Sequence, residues 1–259
     1  MTIALHPTAV VDPDADLAAD AVVGPYAVIG PGVVVGAGSE IQAHAVLERD
    51  VWLGRHCLVG YGSVLGSAPQ DLQDAGVGTR VEIGDETRLR EYVTVHRGTL
   101  ASQATRIGAR CYLMSYVHVA HDCVIGDDAV LANAVQLAGH VQVGRQAWIG
   151  GQTPIHQFVR IGEHAFVGGG SRVPQDVPPY ARVAGVPLRL YGVNVLGLRR
   201  AGIAPDVRLA LQRAFRLLFN SDLTTSAALE RLRAEPDRPR EVDRLLEFIA
   251  ASPRGVLRG

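Results

Sequence analysis

Aliphatic residues recur at every sixth position along most of the chain. Counting in steps of six from Val11 to Val173 passes 28 positions, and 26 of them are Val, Ile or Leu. This period matches neither an α-helix, which repeats about every 3.6 residues, nor a long strand, in which side chains alternate between two faces. It predicts a solenoid of short strands, in which each aliphatic side chain points into a narrow axis.

Glycine directly follows many of these aliphatic positions, as at Gly24, Gly30 and Gly126. A short strand needs such a residue where the chain turns before the next flat face. Three faces per turn make a coil of eighteen residues, and this pattern resembles the hexapeptide-repeat proteins, whose fold is a left-handed parallel β-helix of triangular section. We therefore expect an all-β left-handed parallel β-helix over residues 1–190, rather than an ordinary β-sandwich, with coils about 4.8 Å apart.

Two polar, glycine-bearing stretches interrupt the repeat without changing its phase, at residues 67–80 and 97–106. We interpret both as loop excursions that leave the prism, because loops on a rigid scaffold commonly carry function. The first contains Gln70, Asp71 and Gln73 and is the candidate substrate loop. The alternative is an insertion that the fold tolerates without using it.

The six-residue pattern ends after Val173, where several prolines punctuate the chain. A helical period then appears at residues 206–219, and further helices are expected at 225–233 and 240–251. Residues 191–259 are therefore predicted to form a C-terminal α-helical domain. From Arg199 onward the chain has 12 arginines against 8 acidic residues, so this domain is the basic part of the molecule.

The composition limits the chemistry that the chain can perform. All 25 basic residues are arginine, so a phosphate-binding P-loop lysine, a Schiff-base lysine and a lysine general base are excluded. The three cysteines have no metal-knuckle spacing, and no signal-peptide pattern opens the chain, so we expect a cytoplasmic protein. With a formal net charge of −1 and no run of 18 apolar residues, we expect neither a nucleic-acid partner nor stable membrane insertion.

Four of the nine histidines cluster late in the predicted prism. Residues eighteen apart should stack, which places His121, Gly139 and Gln157 in one column and Asp122 beneath His140. A histidine beside a glycine could act as a general base while the glycine N–H binds an oxyanion. The spacing His118-x-x-His121 also suits zinc, and a third interpretation gives these residues only structural hydrogen bonds.

Several stretches closely resemble the UDP-N-acetylglucosamine O-acyltransferase family, which begins lipid A biosynthesis. The resemblance runs essentially from end to end, including the helices. The matching stretches include His118-Val-Ala-His121-Asp122-Cys123, Leu137-Ala-Gly139-His140, Ile155-His156-Gln157-Phe158, Gln175-Asp-Val-Pro-Pro-Tyr180, Tyr191-Gly-Val-Asn194, Arg80-Val-Glu-Ile-Gly84 and Val95-His96-Arg97-Gly-Thr99.

This resemblance implies a homotrimer with sites in clefts between prisms, and an acyl chain delivered by acyl carrier protein, which the basic helical region would dock. It implies that His121 is the general base that takes the proton from the sugar 3-hydroxyl, with Asp122 beside it, and that the Gly139 N–H binds the oxyanion. No metal or other cofactor is implied. The substrate-binding positions that it implies are Gln70, Asp71, Gln73, His118, His140, Gly151, His156, Gln157, Gly169, Asn194 and Arg200.

Three of those positions have particular roles in the resemblance. Asn194 and Arg200 match the nucleotide end, where an arginine suits a diphosphate. Gly169, which should stack on Gly151, matches the residue that limits acyl length, and with no side chain there the groove should admit a longer chain. The alternative for Gly169 is an ordinary repeat glycine.

The sequence departs from the family at three positions near the sugar nucleotide. Gln73 replaces a lysine, Leu196 a glutamate and Ala201 the second arginine of a pair. The acceptor is therefore expected to be UDP-N-acetylglucosamine or its 3-amino analogue. The alternatives are a related hexapeptide acyltransferase of surface polysaccharide synthesis with another sugar nucleotide or an acyl-coenzyme A donor, a γ-carbonic-anhydrase-like metal enzyme, and a non-catalytic scaffold.

Overall fold

A computed structural model of the chain describes residues 4–73, 76–253 and 255–257. Within these residues the chain forms short strands followed by helices. The strands are β1 (Ala4–Leu5), β2 (Val10–Val11), β3 (Asp16–Leu17), β4 (Val22–Val23), β5 (Val28–Ile29), β6 (Val34–Val35), β7 (Glu40–Ile41), β8 (Val46–Leu47), β9 (Val51–Leu53), β10 (Leu58–Val59), β11 (Val64–Ser67), β12 (Arg80–Ile83), β13 (Arg88–Leu89), β14 (Thr94–His96), β15 (Ala104–Ile107), β16 (Tyr112–Leu113), β17 (His118–Val119), β18 (Val124–Ile125), β19 (Val130–Leu131), β20 (Gln136–Leu137), β21 (Gln142–Val143), β22 (Trp148–Ile149), β23 (Pro154–Ile155), β24 (Arg160–Ile161), β25 (Phe166–Val167), β26 (Ala181–Ala184) and β27 (Arg189–Val193).

Successive strands pass in turn to three sheets, which are the faces of a prism. Face A runs β1-β4-β7-β10-β13-β16-β19-β22-β25-β26-β27, face B runs β2-β5-β8-β11-β14-β17-β20-β23, and face C runs β3-β6-β9-β12-β15-β18-β21-β24. All pairs among β1 to β26 are parallel, for example Val119 with Leu137, whereas β27 joins the end of face A in antiparallel fashion. The repeat-position side chains Leu47, Leu131 and Leu137 have no solvent exposure. The predicted left-handed parallel β-helix and its aliphatic axis are thus confirmed.

The two excursions lengthen individual coils but keep the strands in phase. Leu53 pairs with Ile83 across the first excursion, and Ile83 pairs with Ile107 across the second. The bounds of both predicted loops need a correction. The first, 67–80, starts at the last residue of β11 and stops at the first residue of β12. The second, 97–106, ends in residues that belong to β15, which pairs with β12 over four residues. The loop itself is therefore residues 97–103, called here the brace loop.

The corners of the prism require unusual backbone conformations. Asp122 and His140 both have φ of 62°, in the left-handed region that costs energy for most residues but suits Asp, Asn and His better than others. The backbone N–H of His140 donates to the carbonyl of His121 at 3.0 Å. This bond fixes the stacking of neighbouring corners, so side chains one coil apart meet directly.

The C-terminal part begins with β26 and β27, which pair in antiparallel fashion. The predicted boundary between residues 190 and 191 falls inside β27, and the division into two domains remains a prediction. The helices that follow are α1 (Val195–Arg200), α2 (Pro205–Phe219), α3 (Thr225–Arg233) and α4 (Arg240–Ala250). The last three confirm the predicted helices within one residue at each end, whereas α1 was not predicted.

Helix α4 joins the helical part to the prism. Its Leu245, Leu246 and Ile249 are buried, and its Arg244 donates two hydrogen bonds to Glu163 at 2.9 and 3.2 Å. None of the helices described is both long enough and apolar enough to cross a lipid bilayer.

Candidate active site

A cleft of about 680 Å³ opens on face B. One wall is formed by residues 70–73 of the first excursion, whose residues 74–75 lie outside the described part of the chain. The other wall is formed by β17, β20 and β23 with the corner that follows them. The first excursion therefore faces the histidine cluster, as a substrate loop must. The residues that line the cleft are Gln70, Asp71, Leu72, Gln73, His118, Ala120, His121, Gln136, Leu137, Ala138, Gly139, Pro154, Ile155 and Gln157.

His121 lies at the corner between faces B and C, two residues after β17. Its side chain is 8% exposed, and its Nδ1 lies 2.7 Å from Oδ2 of Asp122. A carboxylate at that distance makes Nδ1 the protonated nitrogen, because an ionised carboxylate can only accept a hydrogen bond. Nothing in the described part of the chain hydrogen-bonds to Nε2, which is therefore available to accept a proton from a molecule in the cleft.

Asp122 has no exposed side-chain surface and is held by several donors. Its Oδ1 accepts hydrogen bonds from the backbone N–H of Thr99 at 2.8 Å, from the Thr99 hydroxyl at 3.2 Å and from the Ser102 hydroxyl. Burial favours the neutral acid, but the hydrogen bonds from His121, Ser102 and Thr99 outweigh it and hold the pKa of the Asp122 carboxyl below its usual value. The carboxylate is ionised at neutral pH and complements a protonated His121.

His140 lies one coil further along, above Asp122. Its Nε2 is 3.4 Å from Asp122 Oδ2, and its ring packs edge-on against His121 with centroids 5.2 Å apart and stacks on Phe158 at 4.5 Å. Ligand-type atoms of His121, Asp122 and His140 all lie within 4.8 Å of one another, a donor set that could suit zinc. The contact between Asp122 and His121 has the length of a hydrogen bond, so the arrangement matches a hydrogen-bonded base.

Gly139 stacks directly on His121, as the column arithmetic predicts. Its backbone N–H has no hydrogen-bond partner among the residues described, and it lines the cleft. A free N–H beside an imidazole is the pairing that acyl transfer requires, since one group takes a proton and the other stabilises the negative oxygen.

His118 lines the same cleft but is suited to a different role. Its Nδ1 lies 2.8 Å from the Thr94 hydroxyl. Burial, followed by the neighbouring His96 and His121, lowers the pKa of His118 to about 4. The ring is therefore neutral near pH 7 and can position a substrate by hydrogen bonding, but it does not supply a positive charge.

The structure brings some of the predicted residues to the cleft and places others elsewhere. Gln70, Asp71, Gln73, His118 and Gln157 line it together with His121 and Gly139. His140 lies behind His121, and His156 is exposed with its Nδ1 3.0 Å from the carbonyl of Gln157. Gly151 and Gly169 stack at the opposite corner of face B, where a methyl group on Gly169 would lie 3.2 Å from the Gly151 carbonyl.

Asn194 and Arg200 lie in a second cleft of about 950 Å³ on face A, so one chain does not bring them to His121. The Asn194 side chain caps α1 by accepting from the Gly197 N–H at 3.1 Å and donates to the His164 carbonyl at 3.0 Å. The oxygen and the nitrogen of the Asn194 amide are thus both engaged in hydrogen bonds within the chain. The residues that line this cleft are Gln146, Trp148, His164, Phe166, Arg182, Val193, Asn194, Val195, Leu196, Gly197, Arg199, Arg200 and Ala201.

Sequence reasoning did not identify Thr99 and Ser102 as partners of Asp122, or Arg182 and Arg199 as part of the second cleft. Thr99 ends one of the stretches that resemble the family, which was a usable signal. Ser102 and Arg182 had no such signal, because their positions depend on the path of a loop and of the antiparallel hairpin. Arg182 packs over Tyr191, with its Cζ 5.5 Å from the ring centroid.

Comparison with family models gives two matches. Residues 176–257 match the model described as UDP N-acetylglucosamine O-acyltransferase, domain 2. Residues 104–139 match the bacterial transferase hexapeptide model, which contains six repeats. The first match covers the helical part, and the second covers the coils that hold His121 and Gly139.

Full-length relatives carry one activity name, acyl-[acyl-carrier-protein]–UDP-N-acetylglucosamine O-acyltransferase. The relative from Syntrophobacter fumaroxidans is 45% identical over 256 residues, covering 98% of this chain and 99% of its own. The relative from Thermodesulfovibrio yellowstonii is 41% identical over 255 residues, with the same coverage of both chains.

Solved structures agree over the whole length. LpxA from Acinetobacter baumannii superimposes with a TM-score of 0.92 at 37% identity, covering 98% of this chain and 99% of that one. LpxA from Bacteroides fragilis, a UDP-N-acetylglucosamine acyltransferase, gives a TM-score of 0.94 at 34% identity, covering 98% and 100%.

Proposed function

Because this chain belongs to the UDP-N-acetylglucosamine O-acyltransferase family, we propose that it transfers a 3-hydroxyacyl chain from acyl carrier protein to the sugar 3-hydroxyl of UDP-N-acetylglucosamine. This reaction is the first step of lipid A biosynthesis. The observation that carries the proposal is the pairing, in one cleft, of a carboxylate-bound His121 with the free N–H of Gly139. The relatives do not favour the polysaccharide, carbonic-anhydrase or scaffold alternatives.

His121 acts as the general base. Its Nε2 accepts the proton of the sugar 3-hydroxyl while that oxygen attacks the thioester carbonyl carbon, forming a tetrahedral intermediate. The Gly139 N–H donates to the negative oxygen that forms. When the intermediate collapses, the C–S bond breaks, and the proton on His121 passes to the departing thiolate, so the ring returns neutral.

Asp122 supports His121 in two ways. Its hydrogen bond to Nδ1 fixes the tautomer that leaves Nε2 free to accept, and its negative charge stabilises the imidazolium formed during attack. Because Asp122 has no exposed side-chain surface, water does not screen this interaction as it would at the molecular surface.

We further propose that the working enzyme is a homotrimer whose sites lie between subunits. The support is that the His121 cleft lies on face B while the cleft with Asn194 and Arg200 lies on face A. One extended sugar nucleotide can use both only if face A of one copy approaches face B of another. A three-fold ring of prisms satisfies that requirement at every subunit with the same contact.

Subunit mixing tests this arrangement directly. His121→Ala and Arg200→Ala are each expected to lose most activity as homotrimers. After the two are unfolded and refolded together, mixed trimers contain some sites with both His121 and Arg200 intact, and activity should return. If the mixture stays as inactive as its parents while sedimentation confirms trimers, each site is built within one chain.

The second cleft would hold the nucleotide end of the acceptor. Its arginines Arg182, Arg199 and Arg200 provide positive charge for a diphosphate. Leu196 and Ala201 line the same cleft and contribute none, so the charge pattern differs from that expected of the family. The acceptor is therefore UDP-N-acetylglucosamine or its 3-amino analogue, in which an amine takes the place of the 3-hydroxyl.

The donor would dock on the basic helical part. Arg213, Arg216, Arg231 and Arg233 are exposed on α2 and α3, and a surface of this charge attracts an acidic carrier protein. We also place the enzyme in the cytoplasm, since Cys57, Cys111 and Cys123 are all unpaired thiols and thiols persist in reducing compartments. Cell fractionation with an antibody against the chain would test that location.

Turnover with purified substrates tests the central proposal. Acyl-acyl carrier protein is incubated with UDP-N-acetylglucosamine or with the 3-amino analogue, and the acylated sugar nucleotide is identified by mass spectrometry. His121→Ala should lose about 10²- to 10⁴-fold in kcat, the usual contribution of general base catalysis. His44→Ala, which removes an exposed histidine outside the cleft, is the matched control. Full activity in His121→Ala would reject the mechanism.

A further inference from the structure

The brace loop, residues 97–103, contacts both Asp122 and the start of the first excursion. On one side, the Thr99 N–H, the Thr99 hydroxyl and the Ser102 hydroxyl all donate to Oδ1 of Asp122. These donors come from outside the regular coils, since the loop lies between β14 and β15. The carboxylate that holds His121 is thus held by an inserted segment of the chain.

On its other side, the same loop holds the start of the first excursion. The Arg97 N–H donates to the Ser67 carbonyl at 2.9 Å, and its Nη1 donates to the Gly66 carbonyl at 2.7 Å. Nδ1 of His96, just before the loop, lies 2.6 Å from the Ala68 carbonyl. The Arg97 side chain is buried, and this burial lowers the pKa of its guanidinium. The hydrogen bond from Arg97 to the Gly66 carbonyl is therefore part of the packed interior rather than a surface contact.

We infer that Thr99 and Ser102 are positioning residues for the base: they orient the Asp122 carboxylate and limit the negative charge that it presents to His121. Oδ1 receives the loop donors and Oδ2 receives the His121 N–H. Oδ1 therefore anchors the carboxylate to the brace loop, while Oδ2 contacts the proposed base. This inference deepens the proposed function, because it concerns the residue that we assign as general base.

The electrostatic consequence has a defined sign. Hydrogen bonds to Oδ1 draw charge away from Oδ2 and stabilise the carboxylate. If a loop donor is removed, Asp122 presents more negative charge to the imidazole, and the protonated ring becomes more favourable. Protonated His121 cannot accept the substrate proton, so the acid limb of the kcat/KM profile should move to higher pH.

Other titratable groups lie around this pair, and the hydrogen bonds of the Thr99 and Ser102 hydroxyls go to Asp122 and the Ala104 carbonyl rather than to these groups. They come from the corner itself, from the next coil, from the neighbouring strand and from the first excursion. They are His118, Cys123, His140 and Asp71, with His96 packed edge-on against His118.

The test compares Ser102→Ala and Thr99→Val with the parent enzyme. Each variant should lose about tenfold in kcat, the effect of one charge-assisted hydrogen bond, with KM little changed and the acid limb shifted upward. Ser102→Thr keeps a hydroxyl and should restore the parent profile. Ser115→Ala is the matched control, because it removes a hydroxyl that donates to Glu91 at 2.6 Å outside the cleft.

A readout without turnover separates this inference from the proposed function. In protein labelled with ¹³C-histidine, the protonation midpoint of His121 is followed by NMR and should be higher in Ser102→Ala and Thr99→Val than in the parent. Lower kcat with an unmoved acid limb and midpoint would overturn the inference, and so would unchanged kcat. If the enzyme fails to acylate any UDP-sugar but the midpoint moves, the proposed function fails while the positioning role stands.

Discussion

A methyl group placed on the α-carbon of Gly139 would lie 2.6 Å from Cε1 and 2.7 Å from Nε2 of the His121 ring. Contacts this short force one group to move. The imidazole and the glycine therefore fit together only because position 139 has no side chain. In the proposed mechanism, the same closeness brings the proton acceptor and the oxyanion donor to one reacting carbonyl group.

Gly139→Ala is accordingly predicted to displace the imidazole while the fold survives. A misplacement of about 1 Å at a reacting group costs about 10²-fold in rate, so kcat should fall by that order with a smaller effect on KM. Steady-state kinetics combined with thermal unfolding checks this. A large loss of stability with full residual kcat would contradict the proposed geometry.

Stacking by eighteen holds before the first excursion, as for Val46 and Val64, and again after Ile107, but it fails across the two excursions. From Ile107 to Val173 each coil has eighteen residues, so Gly139 on His121 and Gly169 on Gly151 follow from counting. Upstream, the excursions add residues in multiples of six, which preserves the aliphatic phase but changes which residues stack. The core was therefore predictable throughout, whereas the columns of stacked residues that cross the excursions were not.

The remaining parts of the site depend on paths that no short repeat encodes. Thr99 and Ser102 reach Asp122 through a loop between two strands, and Arg182 reaches the second cleft from an antiparallel hairpin. Helix α1 has only six residues, too few for its periodicity to stand out beside a glycine-rich segment. Packing within the folded chain, rather than local pattern, places these residues.

Gly169→Met is predicted to shorten the acyl chain that the enzyme prefers. A methyl group there would already lie 3.2 Å from the Gly151 carbonyl, so a longer side chain must extend away from the prism, to where we propose that the acyl chain binds. Competition between acyl carrier proteins with long and short acyl chains gives the ratio of kcat/KM values. Ala19→Met, at an exposed residue outside both clefts, serves as the control, and an unchanged ratio in Gly169→Met would remove its role in length selection.

Ala201→Arg is predicted to tighten binding of the sugar nucleotide. The substitution adds a positive charge to a cleft already lined by Arg199 and Arg200. A charge-assisted hydrogen bond to phosphate would lower KM for UDP-N-acetylglucosamine by about tenfold and leave kcat nearly unchanged. Ala201→Gln tests whether length without charge suffices. Equal KM values for Ala201→Arg and the parent would mean that the diphosphate binds elsewhere.

Donor docking is predicted to weaken as salt rises. At ~1 M ionic strength the Debye length is about 3 Å, so attraction between the exposed arginines of α2 and α3 and an acidic carrier protein is screened. KM for the acyl carrier protein donor should rise about tenfold or more from low salt. An acyl-pantetheine donor, which lacks the protein, is the matched control and should show little change. Parallel behaviour of the two donors would argue against this docking surface.

Glu163 links the prism to the helical part and should make stability depend on pH. It accepts hydrogen bonds from the Arg244 guanidinium and the Tyr180 hydroxyl. Burial alone would raise its pKa, but these two donors hold the pKa of the carboxyl below the ordinary value of 4.5. A carboxyl whose pKa is depressed by folding stabilises the native state above the unfolded pKa, and loses that contribution as pH falls through the folded one.

Glu163→Gln should therefore lower the free energy of unfolding at pH 7 by about 1.5 to 3 kcal/mol, the range for hydrogen bonds to a charged group. As the pH is lowered below 4.5, the parent should lose this advantage and the two proteins should converge. Denaturant unfolding at pH 7 and at a pH below 4.5 measures the difference in free energy of unfolding between parent and variant. Glu40→Gln, on the exposed surface of face A, is the control. A constant gap between parent and Glu163→Gln at every pH would show that packing, rather than the ionised carboxylate, holds the helices to the prism.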